Sequence, residues 1–392
     1  MQSPSKNIIL VVVVALIVIS IWYLQSEKPT HLASTAQDVV VAMPLTTQVS
    51  PITTEGSSAT TVVDRTKILA EKSSQYSKAK ELSDPTGFIN TGPFKLSDLV
   101  GKKVILVDFW TYSCINCQRT LPYLEAWYKK YKDDGLVIVG VHTPEFDFEK
   151  NYDNVSAATK KLGVEYPVVL DSNQGTWTAY QNQYWPHEYL IDIDGFVVHD
   201  HIGEGGYSET EQAIQKALQE RQTVLGLHDT IDTSITNPND VISMDQGKVQ
   251  SPETYFGSAR NEYLANGQPN TVGTQTLSVP DATSANLLYL GGDWNFADQF
   301  AEMTGTSGKI SYTYDAKNVY FVASSAQGVT IKVLRDGKPL GAEAGADVAA
   351  DGTVHIKENR LYDIVHGSDY GEHTLQIEVE GAGLDAYTFT FG

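Results

Sequence analysis

The sequence predicts an α/β domain followed by an all-β sandwich, both preceded by a single apolar N-terminal segment. Three observations predict it. Residues 104–107 form an unbroken, mostly β-branched apolar run, as in a strand buried on both faces, and Leu121, Leu124, Tyr128 and Tyr131 then recur at helical intervals. From residue 251 onward the chain breaks into short alternating runs separated by turns such as Asp336-Gly337 and Asp351-Gly352, the spacing of a β sandwich. Residues 8–24 are almost entirely Ile, Val, Leu and Ala, with Trp22 and Tyr23 at the far end, about the minimum length that spans a bilayer with aromatics at its interface.

Composition bounds the function classes. A chain of 392 residues holds two or three domains, and 41% hydrophobic residues suffice for real cores. The net charge of −20 argues against nucleic acid and against an anionic membrane surface as partners. Cys114 and Cys117 are the only cysteines, so no disulfide framework exists beyond that one pair. Such thrift suits a compartment in which stray thiols would be oxidised.

Taken in order, residues 1–26 read as a signal anchor with Lys6 on the inner side; a cleaved signal peptide is the alternative. Residues 27–77, rich in Thr, Ser, Val and Ala, read as a flexible stalk with a short helix near 66–79. The α/β domain occupies 78–226. After the 104–107 strand and its helix come a strand at 136–141, a helix marked by Phe148, Tyr152, Val155 and Leu162, and a strand at 167–170. A short helix with Trp177 and Tyr180 follows. Next is a hairpin of 188–193 and 196–202 joined by Asp194-Gly195. A closing helix at 208–222 turns Ala213, Ile214 and Leu218 inward. Residues 227–250 form a polar linker. In 251–392, strands are expected at 287–290, 309–314, 318–323, 329–334, 353–356, 361–365, 374–379 and 387–391, with Gly371 as a further turn.

The chemistry gathers at the first strand. Cys114 falls at a helix N-terminus, whose positive end favours a thiolate, the attacking species in disulfide exchange. Cys117 is one turn further in and placed to close the second bond. A structural zinc ion would need four ligands, and neither a second cysteine pair nor a His-x3–5-His motif exists, so neither metal nor cofactor is expected. Asp108 lies inside an apolar strand, where a carboxylate is costly unless used; a proton relay and a strand-end cap both fit. His199 and His201 alternate on one strand and share a face, as an exposed hairpin face or a metal pair. Trp294 and the tyrosines of the β region are either core or a sugar-stacking platform.

Asp-Phe-Trp at 108–110, three residues, the Cys-x-x-Cys, and Pro122 five residues after the second cysteine resemble a thioredoxin-like active site. The resemblance implies that Cys114 is the exposed nucleophile and Cys117 the buried resolving thiol of a redox disulfide, that Asp108 moves the proton, and that Pro122 kinks the helix. By position Trp185-Pro186 resembles the cis-proline loop that faces the cysteines. His187, next to it, would then lie near Cys114 or at the surface, and Glu145 would be a proton shuttle or a solvated loop acid. Ser113, and Ile115-Asn116 between the cysteines, depart from ordinary thioredoxin. The string 109–117 followed by Gly-Val-His-Thr-Pro-Glu-Phe at 140–146 resembles DipZ-type proteins, and Ser251-Pro-Glu-Thr-Tyr resembles their C-terminal domain, a carbohydrate-binding-module-like jelly roll. That family usually begins with a multi-helix membrane domain of the CcdA type, in whose place this chain has one apolar segment.

With the apolar segment at 8–24 as its anchor, the chain is expected to be a single-pass protein of the cell membrane with its folded domains on the extracytoplasmic side. It would be a thiol-disulfide oxidoreductase that reduces disulfides of exported proteins, those of cytochrome c maturation included. Its electrons would come from a separate CcdA-type membrane donor, and carbohydrate is a candidate partner of the β domain. Two rivals stand beside it. A redoxin-type thiol peroxidase would carry Pro-x-x-x-Thr-x-x-Cys, a setting Cys114 lacks. A wall- or sugar-binding module with a vestigial redox domain is opposed by the intact cysteine pair and Asp108.

Overall fold

The computed structural model describes residues 65–239, 241, 242 and 244–392. The expected membrane segment and most of the expected stalk lie outside the described residues. Among the described residues no helix is long and apolar enough to cross a membrane.

The α/β domain comprises α1 (Arg65–Gln75), β1 (Gly87–Ile89), β2 (Val104–Trp110), α2 (Ile115–Tyr131), β3 (Leu136–His142), α3 (Tyr152–Lys161), β4 (Val168–Leu170), α4 (Gly175–Tyr180), β5 (His187–Ile191), β6 (Val197–Ile202) and α5 (Tyr207–Leu225). Its sheet runs β1-β4-β3-β2-β5-β6. The apolar run predicted as a doubly covered strand is β2, buried at all seven positions, parallel to β3 and antiparallel to β5. Leu106 and Trp110 face Leu121, Leu124 and Trp127 of α2 and Ile214 and Leu218 of α5. Ile105, Val107 and Phe109 face the opposite layer with Leu96, Trp177 and Tyr180. The sequence reading lacked β1, a three-residue strand antiparallel to β4; so short a run carries no periodicity of its own.

Two segments expected to be loose are tied down. The short helix α1 docks on the α/β domain instead of belonging to a free stalk. The Lys72 ammonium bonds Asp192 at 2.6 Å, Asp194 at 2.9 Å and also Glu220, and Arg65 pairs with Asp194. Three acids converge there, and Lys72 lies among them as their counter-charge. Its own pKa is raised, their hydrogen bonds outweighing the opposing effect of burial. The linker is likewise a strap. Ile231 is buried in the α/β core, and Thr236 donates its N–H and its hydroxyl to Glu211, both at 2.6 Å.

The β region contains β7 (Thr254–Tyr255), β8 (Gly273–Leu277), β9 (Leu288–Phe296), β10 (Ala301–Met303), β11 (Ser307–Ser324), β12 (Val329–Arg335), β13 (Lys338–Pro339), β14 (Thr353–Ile356), β15 (Arg360–Glu380) and β16 (Leu384–Phe391). The main path is β13-β12-β15-β11-β16-β10-β9-β8, with β11 also paired to β9. Four expected strands are in fact two long ones. Residues 309–314 and 318–323 are a single strand, β11, and 361–365 and 374–379 are a single strand, β15. Gly371 is therefore not a turn; it pairs with Ala316 beside a register shift, where a bulge redirects both strands without ending them. The first half of β11 pairs with β9 and the second half with β16, so the sheet folds over one core that includes Trp294, Tyr312, Phe321, Ile377 and Phe389.

The two domains meet across the turn that carries the cysteines. Ile115 and Phe146 are buried with Tyr320, Val322, Leu361 and Tyr387 in one apolar cluster. Tyr387 meets Phe146 and Phe148 edge-on at 5.0 and 4.9 Å. Around this cluster Tyr112 donates its hydroxyl to the Asn359 carbonyl at 2.9 Å, and Arg260 pairs with Glu145 at 2.8 Å. Tyr387→Ala removes the central ring and should cost about 3–5 kcal/mol, as aromatic-to-alanine changes in cores do. By scanning calorimetry the wild type should melt in one transition and the variant in two, because the lost cluster is what couples the domains; a single transition in both would show that the coupling lies elsewhere.

Candidate active site

Strand β2 delivers the chain into a tight turn, and Cys114 becomes the N-cap of α2, with extended backbone at φ −84° and ψ 118°. Its Sγ accepts the Cys117 N–H at 3.4 Å, so a free amide of the first helical turn is aimed at the sulfur. Cys114 is half-buried and Cys117 buried, and both are thiols. The Cys114 Sγ lies 4.0 Å from the Trp185 carbonyl oxygen. Trp185-Pro186 is a cis peptide. Trp185 is held by its indole N–H on the Thr143 carbonyl at 3.1 Å and by the Trp177 ring at 4.2 Å. The structure thus brings Cys114, Cys117, Trp185 and Pro186 together.

Behind the cysteines the protein is closely packed and buried. Burial pushes the Cys117 thiol well up, and its hydrogen bond with Cys114 and the nearby Asp108 act in the same direction. Asp108 is fully buried, and neither carboxylate oxygen has a hydrogen-bond partner. Desolvation alone pushes it up to about 8.

The departures from ordinary thioredoxin have local causes. Ile115 is only 2% exposed because the β region covers it. Asn116 accepts from Arg119 Nη2 at 2.6 Å, and the same guanidinium donates from Nε to Glu204 at 2.6 Å. Ser113 donates its hydroxyl to Glu149 at 2.6 Å. Glu149, which sequence reasoning missed, is buried and also accepts the N–H groups of Glu145 and Phe146. It joins the cysteine turn to the loop after β3. Nothing local in the sequence distinguishes it from the surrounding acids.

Two residues named as modulators lie elsewhere. His187 pairs with Phe109 in the sheet, so it faces away from Asp108 and the helix. Its ring contacts Asn182 at 2.6 Å and the Tyr189 hydroxyl at 3.0 Å, and burial lowers its pKa, which disfavours the imidazolium that would have helped a thiolate. Glu145 is not a solvated loop acid: it accepts from Arg260 and from the Tyr255 hydroxyl, at 2.8 and 2.9 Å. In the β region Trp294 is fully buried and donates to the Gly291 carbonyl, and Tyr312, Tyr314, Tyr320 and Tyr362 are buried too, so these rings form core and no stacking platform. A groove of that region, about 940 Å³, has no aromatic lining; Ser278, Asp281, Lys309 and Asp336 are among its residues. A second cleft of about 490 Å³ opens between the domains beside the cysteine turn, with Tyr112, Ile115 and Gln118 on one wall and Arg360 and Leu361 on the other.

Comparison with known proteins agrees with this architecture. Residues 77–200 match the AhpC/TSA family, and residues 251–392 match the thioredoxin like C-terminal domain. Protein DipZ of Mycobacterium tuberculosis (strain CDC 1551 / Oshkosh) is 38% identical over 317 residues, which are 80% of this chain and 43% of DipZ. The chain therefore spans less than half the length of the DipZ proteins it matches. The chloroplastic protein SUPPRESSOR OF QUENCHING 1 of Arabidopsis thaliana is 35% identical over 138 residues, 35% of this chain and 13% of that protein. The thiol-disulfide oxidoreductase ResA of Bacillus thuringiensis (strain Al Hakam) is 35% identical over 123 residues, 31% of this chain and 67% of ResA. On the fold, the cysteine turn and these relatives, the chain is a homologue of DipZ and belongs to the thioredoxin-like thiol-disulfide oxidoreductases.

Proposed function

We propose that this protein is a membrane-anchored reductase of exported protein disulfides, working on the extracytoplasmic side through the Cys114–Cys117 pair. One observation carries the reading: a half-exposed sulfur capped by a helix amide, with a second thiol sealed behind it over an unpartnered carboxylate. Cys114 attacks the substrate disulfide, with the Cys117 amide of the helix terminus aimed at its sulfur. The substrate sulfur it does not bind departs with an electron pair. The Trp185 carbonyl and Pro186 border the attacking sulfur and offer the surface along which the substrate chain lies. Cys117 then gives its proton to Asp108 and attacks Cys114, which closes the protein disulfide and frees the second substrate sulfur. A membrane donor of the CcdA type returns the two electrons, and the apolar segment at 8–24 keeps the protein within that donor's reach. Cytochrome c maturation is one process whose disulfides would fit. The thiol peroxidase reading is disfavoured because the resolving thiol sits one helical turn from the attacking one, in the arrangement of a dithiol exchanger.

Reduction of a protein disulfide by the full chain, with dithiothreitol as donor, should vanish in Cys114→Ser. In Cys117→Ser it should stall at mixed disulfides through Cys114. Thiol trapping in intact cells with that second variant should capture exported proteins, and captured cytosolic proteins alone would refute the assigned side of the membrane.

Asp108 makes a separate prediction through stability. Its ordinary value is 3.8 and its folded value about 8, so between these the native state binds more protons than the unfolded chain. Its stabilising contribution is complete below about pH 4 and is lost as pH rises through 8. Asp108→Asn should therefore flatten the decline in stability across that window and exceed the wild type by about 1–4 kcal/mol near pH 8, as replacements of buried charges do. The same variant should resolve mixed disulfides more slowly. Denaturant melts at a series of pH values check the first claim, and parallel pH profiles for the two proteins would count against a buried proton on Asp108.

A further inference from the structure

Resolution requires the buried Cys117 to lose its proton, and the sheet places a row of titratable groups leading outward from it. Asp108 on β2 is the cross-strand partner of Glu188 on β5, and Glu188 is the partner of His201 on β6. Direct partners in an antiparallel pair share a face with Cβ atoms about 4.5–5.5 Å apart. The three side chains therefore form a row on the α2 side of the sheet, beginning beneath Cys117. Asp108 and Glu188 are buried, whereas His201 is half-buried on the outer strand. Its ring abuts Gly206, where a Cβ would come within 2.5 Å of the imidazole.

The row is also marked by what it lacks. Both Asp108 oxygens, Glu188 Oε2 and His201 Nε2 are buried without a hydrogen-bond partner. Orphaned polar atoms are rare in protein interiors and costly, yet four stand in one line. The other groups facing Glu188 are the Tyr166 hydroxyl from before β4, which also feels the Cys117 thiol of α2, the Tyr207 hydroxyl of α5, and Thr210 of α5, whose hydroxyl bonds Glu188 and lies 3.2 Å from Nε2 of His199 on β6. Among the described residues neither carboxylate pairs with a lysine or arginine. Two adjacent carboxyls in such surroundings cannot both ionise, so they hold a proton between them.

We propose that Asp108, Glu188 and His201 form a proton-conducting row that carries the Cys117 proton to solvent while the mixed disulfide is resolved, an assignment that rests on the exchange reading above. The Cys117 S–H bond breaks, and its proton passes to Asp108. The carboxyl pair releases a proton through Glu188 to His201, which gives it to water. The Cys117 thiolate attacks Cys114, the Cys114–Cys117 bond forms, and the bond from Cys114 to the substrate sulfur breaks. The substrate sulfur leaves with the electron pair, so the protein dithiol has supplied two electrons. Glu188 and His201 touch no substrate; they are positioning residues that act through Asp108.

Ellman's reagent separates the two steps in one stopped-flow trace of the reduced full chain. Cys114 releases the first coloured thiolate and Cys117 the second, and neither leaving group needs a proton. Glu188→Gln should leave the first phase unchanged and slow the second about tenfold or more. It should melt at or above the wild-type temperature, having lost a buried carboxylate, which separates a relay from a structural prop. His201→Ala should slow the second phase too, with recovery toward the wild-type rate on addition of imidazole. A wild-type second phase in either variant, equal slowing of both phases, or a His201→Ala deficit indifferent to imidazole would overturn the row. If the wild type itself releases only one equivalent, the exchange reading fails and the row falls with it, an outcome distinct from the others.

Discussion

The contact between the cysteine turn and the β region is the constraint on which the rest of the structure depends. Ile115 sits between the two cysteines, and the β region covers it with Tyr320 and Leu361. Tyr112, two residues before Cys114, is held by the Asn359 carbonyl. An exchanger with small residues at these positions could present its sulfur on an open ridge. Here the ridge is walled on one side, which leaves the Trp185 side and the interdomain cleft as the approaches to Cys114. The β region is thus part of the architecture of the candidate active site.

A second constraint follows from the first. Glu149 is buried under the same turn, bonded to Ser113, and Asp108 and Glu188 are buried behind Cys117. Carboxylates in such a place are favourable only when neutral. Raised carboxyls behind a raised thiol make a reservoir of protons where disulfide chemistry must release one. The fold accepts unpartnered polar atoms there, and the apolar packing of β2 against α2 and α5 supplies the stability that tolerates them.

How much of this was legible in the sequence depended on range. The cysteine turn is local: its spacing places Cys114 at a helix start, and the structure has Cys114 as the N-cap. Strand β2 was legible because a strand buried on both faces must be apolar throughout. Glu188 was invisible, since an acid next to a histidine at a strand start looks like any surface pair; only the register with Asp108 reveals it. His187 and Glu188 differ by one residue, and the pleat sends one to each face of the sheet. Attention fell on His187, the residue that the pleat turns away from the cysteines. Gly371 misled for the opposite reason. Glycine marks both turns and bulges, and pairing with a distant strand decides between them.

The strap through Ile231 and Thr236 has one more consequence. Each domain is pinned to the chain that joins them: one by this strap, the other where β7 pairs with β16 near Thr254. Only a short span of chain separates the two pins. A module on so short a leash experiences its partner at an effective concentration of the order of millimolar. Even weak cohesion between such surfaces keeps them assembled, and any separation is brief compared with the arrival of a second protein. The wall beside Cys114 therefore persists in solution without a tight interface, which leaves the surfaces free to evolve toward what they admit.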